Sequence, residues 1–159
     1  MHHEAYEYVK AAALIIGQRR RVLEIGSCNV NGSVRPLFPG VDYVGIDSRP
    51  GRDVDIVADA RTWRSSGRLF DTVVCTEVLE HAKEANEICH TAFISLIDGG
   101  VFVMTAAGEG RSPHGINGGG VGDEFYRNVT EAELREWLSI FSHCFVDRKG
   151  GDIRAMAIK

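Results

Sequence analysis

The sequence predicts an α/β domain built on a mainly parallel sheet, and three observations predict it. Short apolar runs alternate with amphipathic stretches of helical period along the chain. The run Phe70-Asp71-Thr72-Val73-Val74-Cys75-Thr76 is apolar enough for a strand buried on both faces, as in parallel sheets. Acids or glycines close the first apolar runs, where strands give way to loops. The 159 residues suit one domain, 1–159, and 44% hydrophobic content suffices for one core.

The elements follow in order. Tyr6, Val9, Ala13 and Ile16 recur at helical spacing and Gly17 stops the helix. Arg21-Val22-Leu23-Glu24-Ile25-Gly26 is the first strand, followed by a glycine-containing turn and a short helix over residues 34–38. Residues 42–47 form a second strand and 54–58 a third, with a link too short for a helix. The fourth strand spans 70–76. Ala82, Ala85, Ile88, Cys89, Ala92, Phe93, Leu96 and Ile97 then trace one face of a long helix. Asp98-Gly99-Gly100 ends it, and Val101-Phe102-Val103-Met104-Thr105 is the fifth strand. A polar, glycine-rich loop over 107–128 is long enough to be functional. Thr130 and Glu133 make a capping box ahead of a helix carrying Leu134, Trp137, Leu138 and Phe141. Two last strands, near 144–147 and 153–158, flank Gly150-Gly151, a hairpin signal that makes the sheet end antiparallel.

Composition narrows the function classes. A net charge of -4 and pI near 5.8 give no general attraction to nucleic acid or anionic membranes. The cationic run Gln18-Arg19-Arg20-Arg21 reads as a solvated helix end. Cys28, Cys75, Cys89 and Cys144 lack CxxC spacing, so neither a metal site nor a disulfide framework is expected, and mostly buried, reduced thiols are. No apolar run reaches membrane-spanning length and no leader pattern opens the chain, so a cytoplasmic protein is expected.

The chemistry concentrates at the carboxyl ends of the first four strands, where open α/β sheets bind ligands. Gly26 lets backbone approach a ligand and Gly32 opens the next helix, whose amides suit an anion. Asp47, with Ser48 beside it, ends the second strand. Asp59-Ala60 ends the third, and Thr76-Glu77 the fourth. One acid at a strand end can be a turn cap. Acids in register on successive strands are harder to ascribe to capping.

These residues carry a family resemblance. Val22-Leu23-Glu24-Ile25-Gly26-Ser27, Gly45-Ile46-Asp47, Val57-Ala58-Asp59-Ala60, the segment from Phe70 through Thr76-Glu77-Val78-Leu79-Glu80-His81, Asp98-Gly99-Gly100 with the fifth strand, and Tyr126-Arg127-Asn128-Val129-Thr130 resemble class I S-adenosylmethionine (SAM)-dependent methyltransferases of the type 11 group. The resemblance implies a Rossmann-like three-layer sandwich with a seven-stranded sheet of order 3-2-1-4-5-7-6. It implies SAM as cofactor and S-adenosylhomocysteine (SAH) as product. Glu24, Gly26, Ser27 and Gly32 would surround the methionine part, Asp47 and Ser48 the ribose, Asp59 and Ala60 the adenine, and backbone at Thr76 and Glu77 the sulfonium end. The departure is in the first turn, where Cys28 and Val30 replace the second and third glycines.

For catalysis, His81 at the rim beyond the fourth strand and His114 in the long loop are the candidate bases. His81 reads equally as a helix cap, and His114 as an exposed loop residue. Glu80 would orient His81 or serve the structure alone, and Asp123, Glu124 and Tyr126 would line an acceptor pocket or, as loop residues, equally stand in solvent. His90, Trp63 and Trp137 read as packing residues, and His143 has no assigned role. The expected acceptor is a hydroxyl or amine of a small molecule, bound under the loop and the N-terminal helix, with a second subunit as one way to complete the pocket. Two other readings stand: a non-enzymatic SAM-binding regulatory module, and an NAD(P)-binding oxidoreductase, of whose GxGxxG only Gly26 is present. A nucleic-acid methyltransferase is disfavoured, because Cys75-Thr76-Glu77-Val78 is not the Asp/Asn-Pro-Pro-aromatic turn.

Overall fold

The structure is a computed structural model describing residues 2–159. Its sheet has seven strands in the order β3-β2-β1-β4-β5-β7-β6. They are β1 (Arg21–Ile25), β2 (Asp42–Asp47), β3 (Ile56–Val57), β4 (Phe70–Thr76), β5 (Leu96–Ala107), β6 (His143–Lys149) and β7 (Asp152–Ile158). The first five run parallel, whereas β7 is antiparallel to both β5 and β6. This is the order that the family resemblance implies and the antiparallel ending that the hairpin signal predicts.

Strand alternation builds two cores. Val22, Val74, Val101 and Val103 face helix α1 (His3–Ile16), which buries Ala5, Val9 and Ala12 against them. Leu23, Ile25, Val73, Cys75, Phe102 and Met104 face the other way, toward α2 (Ala85–Ser95) and α3 (Glu131–Trp137). Helices on both faces make three layers. Phe141 closes the second core, its ring stacked on Phe102 at 5.8 Å and edge-on to Phe93 at 5.2 Å.

Four expectations are corrected. The helix after Gly32 is a single 3-10 turn, Arg35–Leu37, with Pro36 inside it, so the row of free helix-terminal amides does not form. The third strand is two exposed residues, Ile56 and Val57, which pair only with Ile46 and Asp47 at the end of β2. The helix before β5 ends at Ser95: Leu96 pairs with Phe70, the register shifts between Phe70 and Thr72, and the expected Asp98-Gly99-Gly100 turn becomes an irregularity inside β5. Gly99, at φ 73, donates its amide to the Lys159 carbonyl and so ties this bend to the chain's last residue. The cationic run follows the end of α1 and leads into β1, whose first residue is Arg21, and is not part of a helix; Arg20 and Arg21 donate amides to Asp71.

Other expectations hold. Gly17 ends α1 at φ 68. The Thr130 side chain accepts the Glu133 amide while the Glu133 carboxylate accepts from the Thr130 backbone, completing the capping box. Cys75 and Cys89 are buried; Cys28 is half-buried and Cys144 exposed, so burial covers two of the thiols. Among the described residues no helix is long and apolar enough to cross a membrane.

Candidate active site

One cleft of about 1400 Å³ runs along the carboxyl ends of β1 to β4. Glu24, Gly26, Ser27, Gly32, Asp47, Ser48, Asp59, Ala60, Thr76 and Glu77 all line it, as do His81 and His114. The sequence-predicted site residues thus share one cavity. Its roof is the long loop: Ser112, Pro113, His114, Gly115, Ile116 and Gly118 line the same space. The N-terminal helix does not share in this. It packs flat on the sheet, and His2, just ahead of it, is the residue from that end that reaches the cleft among those described.

The first turn is held by contacts that explain its residues. Gly26 sits at φ 80, and a Cβ there would come within 2.1 Å of Val78 Cγ2. The amides of Gly26 and Ser27 both donate to the Ile46 carbonyl, at 2.8 and 3.1 Å, so the β1 tip is clamped to β2. The Ser27 hydroxyl is buried with no partner among the described residues. Cys28 and Val30 do not need glycine freedom, since the turn takes another path. The Asn29 amide donates to the Arg52 carbonyl and its side-chain amide to Asp53 Oδ2 at 2.7 Å. Its Oδ1 accepts the Gly32 amide at 2.9 Å. The Cys28 thiol fills the space beside Gly51, where a Cβ would lie 2.5 Å from Sγ. The β1 turn therefore leans on the β2–β3 connection.

Glu24 is buried beneath this turn, 3% exposed, and accepts the Tyr43 hydroxyl at 2.9 Å. Burial pushes its carboxyl up to about 7, against the lowering by the Tyr43 hydrogen bond and Arg35. Asp47 accepts the Cys28 amide on Oδ2 at 3.1 Å and the Arg49 amide on Oδ1 at 3.0 Å, which fixes its carboxylate over the cleft. Oδ2 keeps a second lone pair for a ligand hydroxyl, while Oδ1 also accepts the Ser48 hydroxyl at 3.5 Å, a long bond that a ligand hydroxyl could replace. Asp59 is exposed and held by Arg61, whose guanidinium meets both oxygens and reaches Glu84 at 2.6 Å. Those bonds hold the Asp59 carboxyl below its usual range.

Glu77 has φ 56, an uncommon conformation for a residue with a side chain. Its amide donates to the Thr105 carbonyl, and its carboxylate accepts from the Thr105 hydroxyl at 3.2 Å and Arg111 at 3.1 Å. Arg111 also meets buried Asp152, so one cation from the loop bridges two acids at the sheet end. Glu80 is fully buried in the 3-10 turn Leu79–His81. Burial and the neighbouring Glu77 charge push it up to about 8. His114 Nε2 lies 3.9 Å from Glu80 Oε1. The His81, His114 and Tyr126 rings meet edge-on at 5.1 to 5.6 Å. Burial, followed by the neighbouring His114, lowers the His81 pKa.

Sequence reasoning missed Arg111, Asp152 and Arg61, because an arginine in a polar segment carries no signal of the acid it will meet. Asp123 is exposed and does not line the cleft, and Tyr126 stands behind the His81 and His114 rings without lining it; Glu124 does, and accepts the Ile116 amide at 2.8 Å. Trp63 and Trp137 pack on the core as expected, whereas His90 is exposed, and His143 lies exposed on β6.

The solved structures that share this architecture decide the fold. N-methyltransferase NodS from Bradyrhizobium japonicum WM9, in complex with SAH, aligns with a TM-score of 0.70 over 97% of this chain and 85% of its own, at 16% identity. The Burkholderia thailandensis 1,6-didemethyltoxoflavin-N1-methyltransferase, with bound 1,6-didemethyltoxoflavin and SAH, gives 0.70 over 99% and 79%, at 16% identity. The N-terminal domain of EvdMO1, in the presence of SAH and D-fucose, gives 0.69 over 99% and 83%, at 17% identity. This chain has the class I methyltransferase fold. No protein-family model and no curated protein matches its sequence.

Proposed function

We propose that the protein is a SAM-dependent methyltransferase acting on a hydroxyl or amine of a small molecule. The observation that carries this reading is the Asp47 carboxylate, fixed by two backbone amides at the tip of β2 and open to a diol. The residues present fit the cofactor. Gly26 lets the β1 turn pack against Val78 where a Cβ would clash, and the unpartnered, buried Ser27 hydroxyl lies in the cleft wall beside it. The structural neighbours with SAH bound support it further.

When bound, SAM supplies an electrophilic methyl on a sulfonium, which in-line attack by the acceptor would remove to leave SAH. The chain's own residues do the rest. Glu24 and the Gly26–Ser27 turn receive the methionine end, Asp47 with Ser48 the ribose hydroxyls, and Asp59 with Ala60 the adenine edge. Backbone at Thr76 and Glu77, held in its strained turn, faces the sulfonium end. The loop over residues 108–128 covers the acceptor and excludes water, and alignment under that cover is the main source of rate. His81 and His114, backed by the Tyr126 ring, form the acceptor end, where the acceptor's proton is handled.

Transfer of label from methyl-labelled SAM to a panel of small alcohols and amines tests this reading. The expected result is SAH formed in step with a methylated product. Tight SAH binding with no label transfer to any acceptor would instead favour a non-enzymatic SAM-binding module.

A further inference from the structure

Glu80, His81 and His114 come from two distant parts of the chain, and nothing in their spacing marks a metal site. The fold nevertheless brings one donor atom of each within 4.8 Å of the others. We propose that this trio is a binding site for one divalent transition-metal ion of the zinc or manganese type, at the acceptor end of the cleft.

The first ground is how each donor is held. Glu80 Oε1 accepts the Ala107 amide at 3.0 Å, which fixes the carboxylate, while Oε2 is buried with no partner among the described residues. His114 Nδ1 faces the Ser112 carbonyl at 3.3 Å, leaving Nε2 as the lone-pair nitrogen, and that atom is the one turned to Glu80 at 3.9 Å. His81 Nδ1 is buried and also without a partner among the described residues. Metal-binding imidazoles and carboxylates are oriented in this manner by backbone hydrogen bonds on their far side. Buried polar atoms left unpaired are costly, so the two orphans, one on Glu80 and one on His81, call for an occupant.

The second ground is charge. Glu77, Glu80 and Asp152 are gathered around a single guanidinium, that of Arg111. The cluster therefore welcomes a cation. The third is spacing. Two ligands on a tetrahedral ion are about 3.4 Å apart. The 3.9 Å pair needs to close by half an ångström and the other pairs, within 4.8 Å, by at most about 1.4 Å, a closure asked of His114, which lies outside any helix or strand. Two imidazoles with one carboxylate suit zinc and manganese(II) and do not suit magnesium. His81 and His114 both line the cleft, so an open coordination position would face the acceptor. There a cation would handle the acceptor's proton by charge, lowering the pKa of a bound hydroxyl. That last role rests on the methyltransferase reading; the binding of the ion does not.

Chelator-stripped protein is titrated with zinc chloride alone, by calorimetry and by competition with a chromophoric chelator, with magnesium chloride in parallel. The expected result is one saturating zinc per chain, no magnesium binding, and at least tenfold weaker zinc binding in His114→Ala and in His81→Ala. Circular dichroism identifies any variant that has lost its fold, and His114, on a surface loop, keeps the test valid if His81→Ala unfolds. His2→Ala, which breaks the second group of possible ligands formed by His2, Glu4 and Asp152, should leave the binding unchanged. No saturable zinc binding, binding indifferent to His114→Ala, or binding lost in His2→Ala would overturn the proposal. SAM is titrated separately without metal, so loss of SAM binding alone overturns the methyltransferase reading and leaves the metal site standing.

Discussion

At the scale of the residue, the strand tips are where the chemistry is fixed. Asp47→Ala removes a carboxylate that two amides hold in place, and SAM affinity should fall more than tenfold by calorimetry. Unchanged affinity would remove Asp47 from the ribose site. Gly26→Ala puts a methyl group into Val78 and a side chain at positive φ, so a loss of about 2 kcal/mol in urea unfolding is expected, with loss of SAM binding. Glu24 sets a pH dependence. Its folded-state pKa of about 7 lies above the ordinary 4.5, so the fold favours the protonated acid. The stability this contributes is full below pH 4.5 and is lost as pH rises through 7, about 3 kcal/mol in all. Glu24→Gln should flatten the stability curve over that window; an equal slope in both proteins would show that Glu24 does not titrate there. His81→Ala should lower turnover while SAM binding stays nearly intact, and equal loss of both would make His81 structural.

At the scale of the element, the loop over residues 108–128 is the part least foreseen. Its length and glycine content marked it as functional, but its path could not be read. That path is set by contacts between distant residues. Arg49 reaches Asn117 at 2.9 Å, Arg111 reaches Glu77, and Asn128 ties the loop's start to its end through the Gly108 and Arg111 carbonyls. Asn128→Ala should speed hydrogen exchange across 108–128 and raise the KM for the acceptor, with the sheet's protection unchanged. The strands were legible because β1, β2 and β4 are apolar runs closed by turn residues. The short helix after Gly32 was not, because Pro36 and the Asn29 hydrogen bonds hold the chain in a looser path. Likewise Leu96 fits a helical face as well as a strand, and pairing with Phe70 decided the matter.

At the scale of the whole molecule, the sheet order is the one the family resemblance implies, and its antiparallel ending follows from the Gly150-Gly151 hairpin, which is visible in the sequence. The half of the cleft proposed for the cofactor is legible in the sequence because each of its acids closes its own strand. The acceptor half is not, because Glu80, His114 and Arg111 meet only through the closed path of a loop. The central claim, that this cleft takes SAM, is tested most directly by titrating the protein with SAM, SAH and NAD+ in one calorimetric series. Saturable binding of one SAM or SAH per chain, weakened more than tenfold by Asp47→Ala and without NAD+ binding, is the predicted result; NAD+ binding tighter than SAH, or no binding of SAM and SAH, would contradict it.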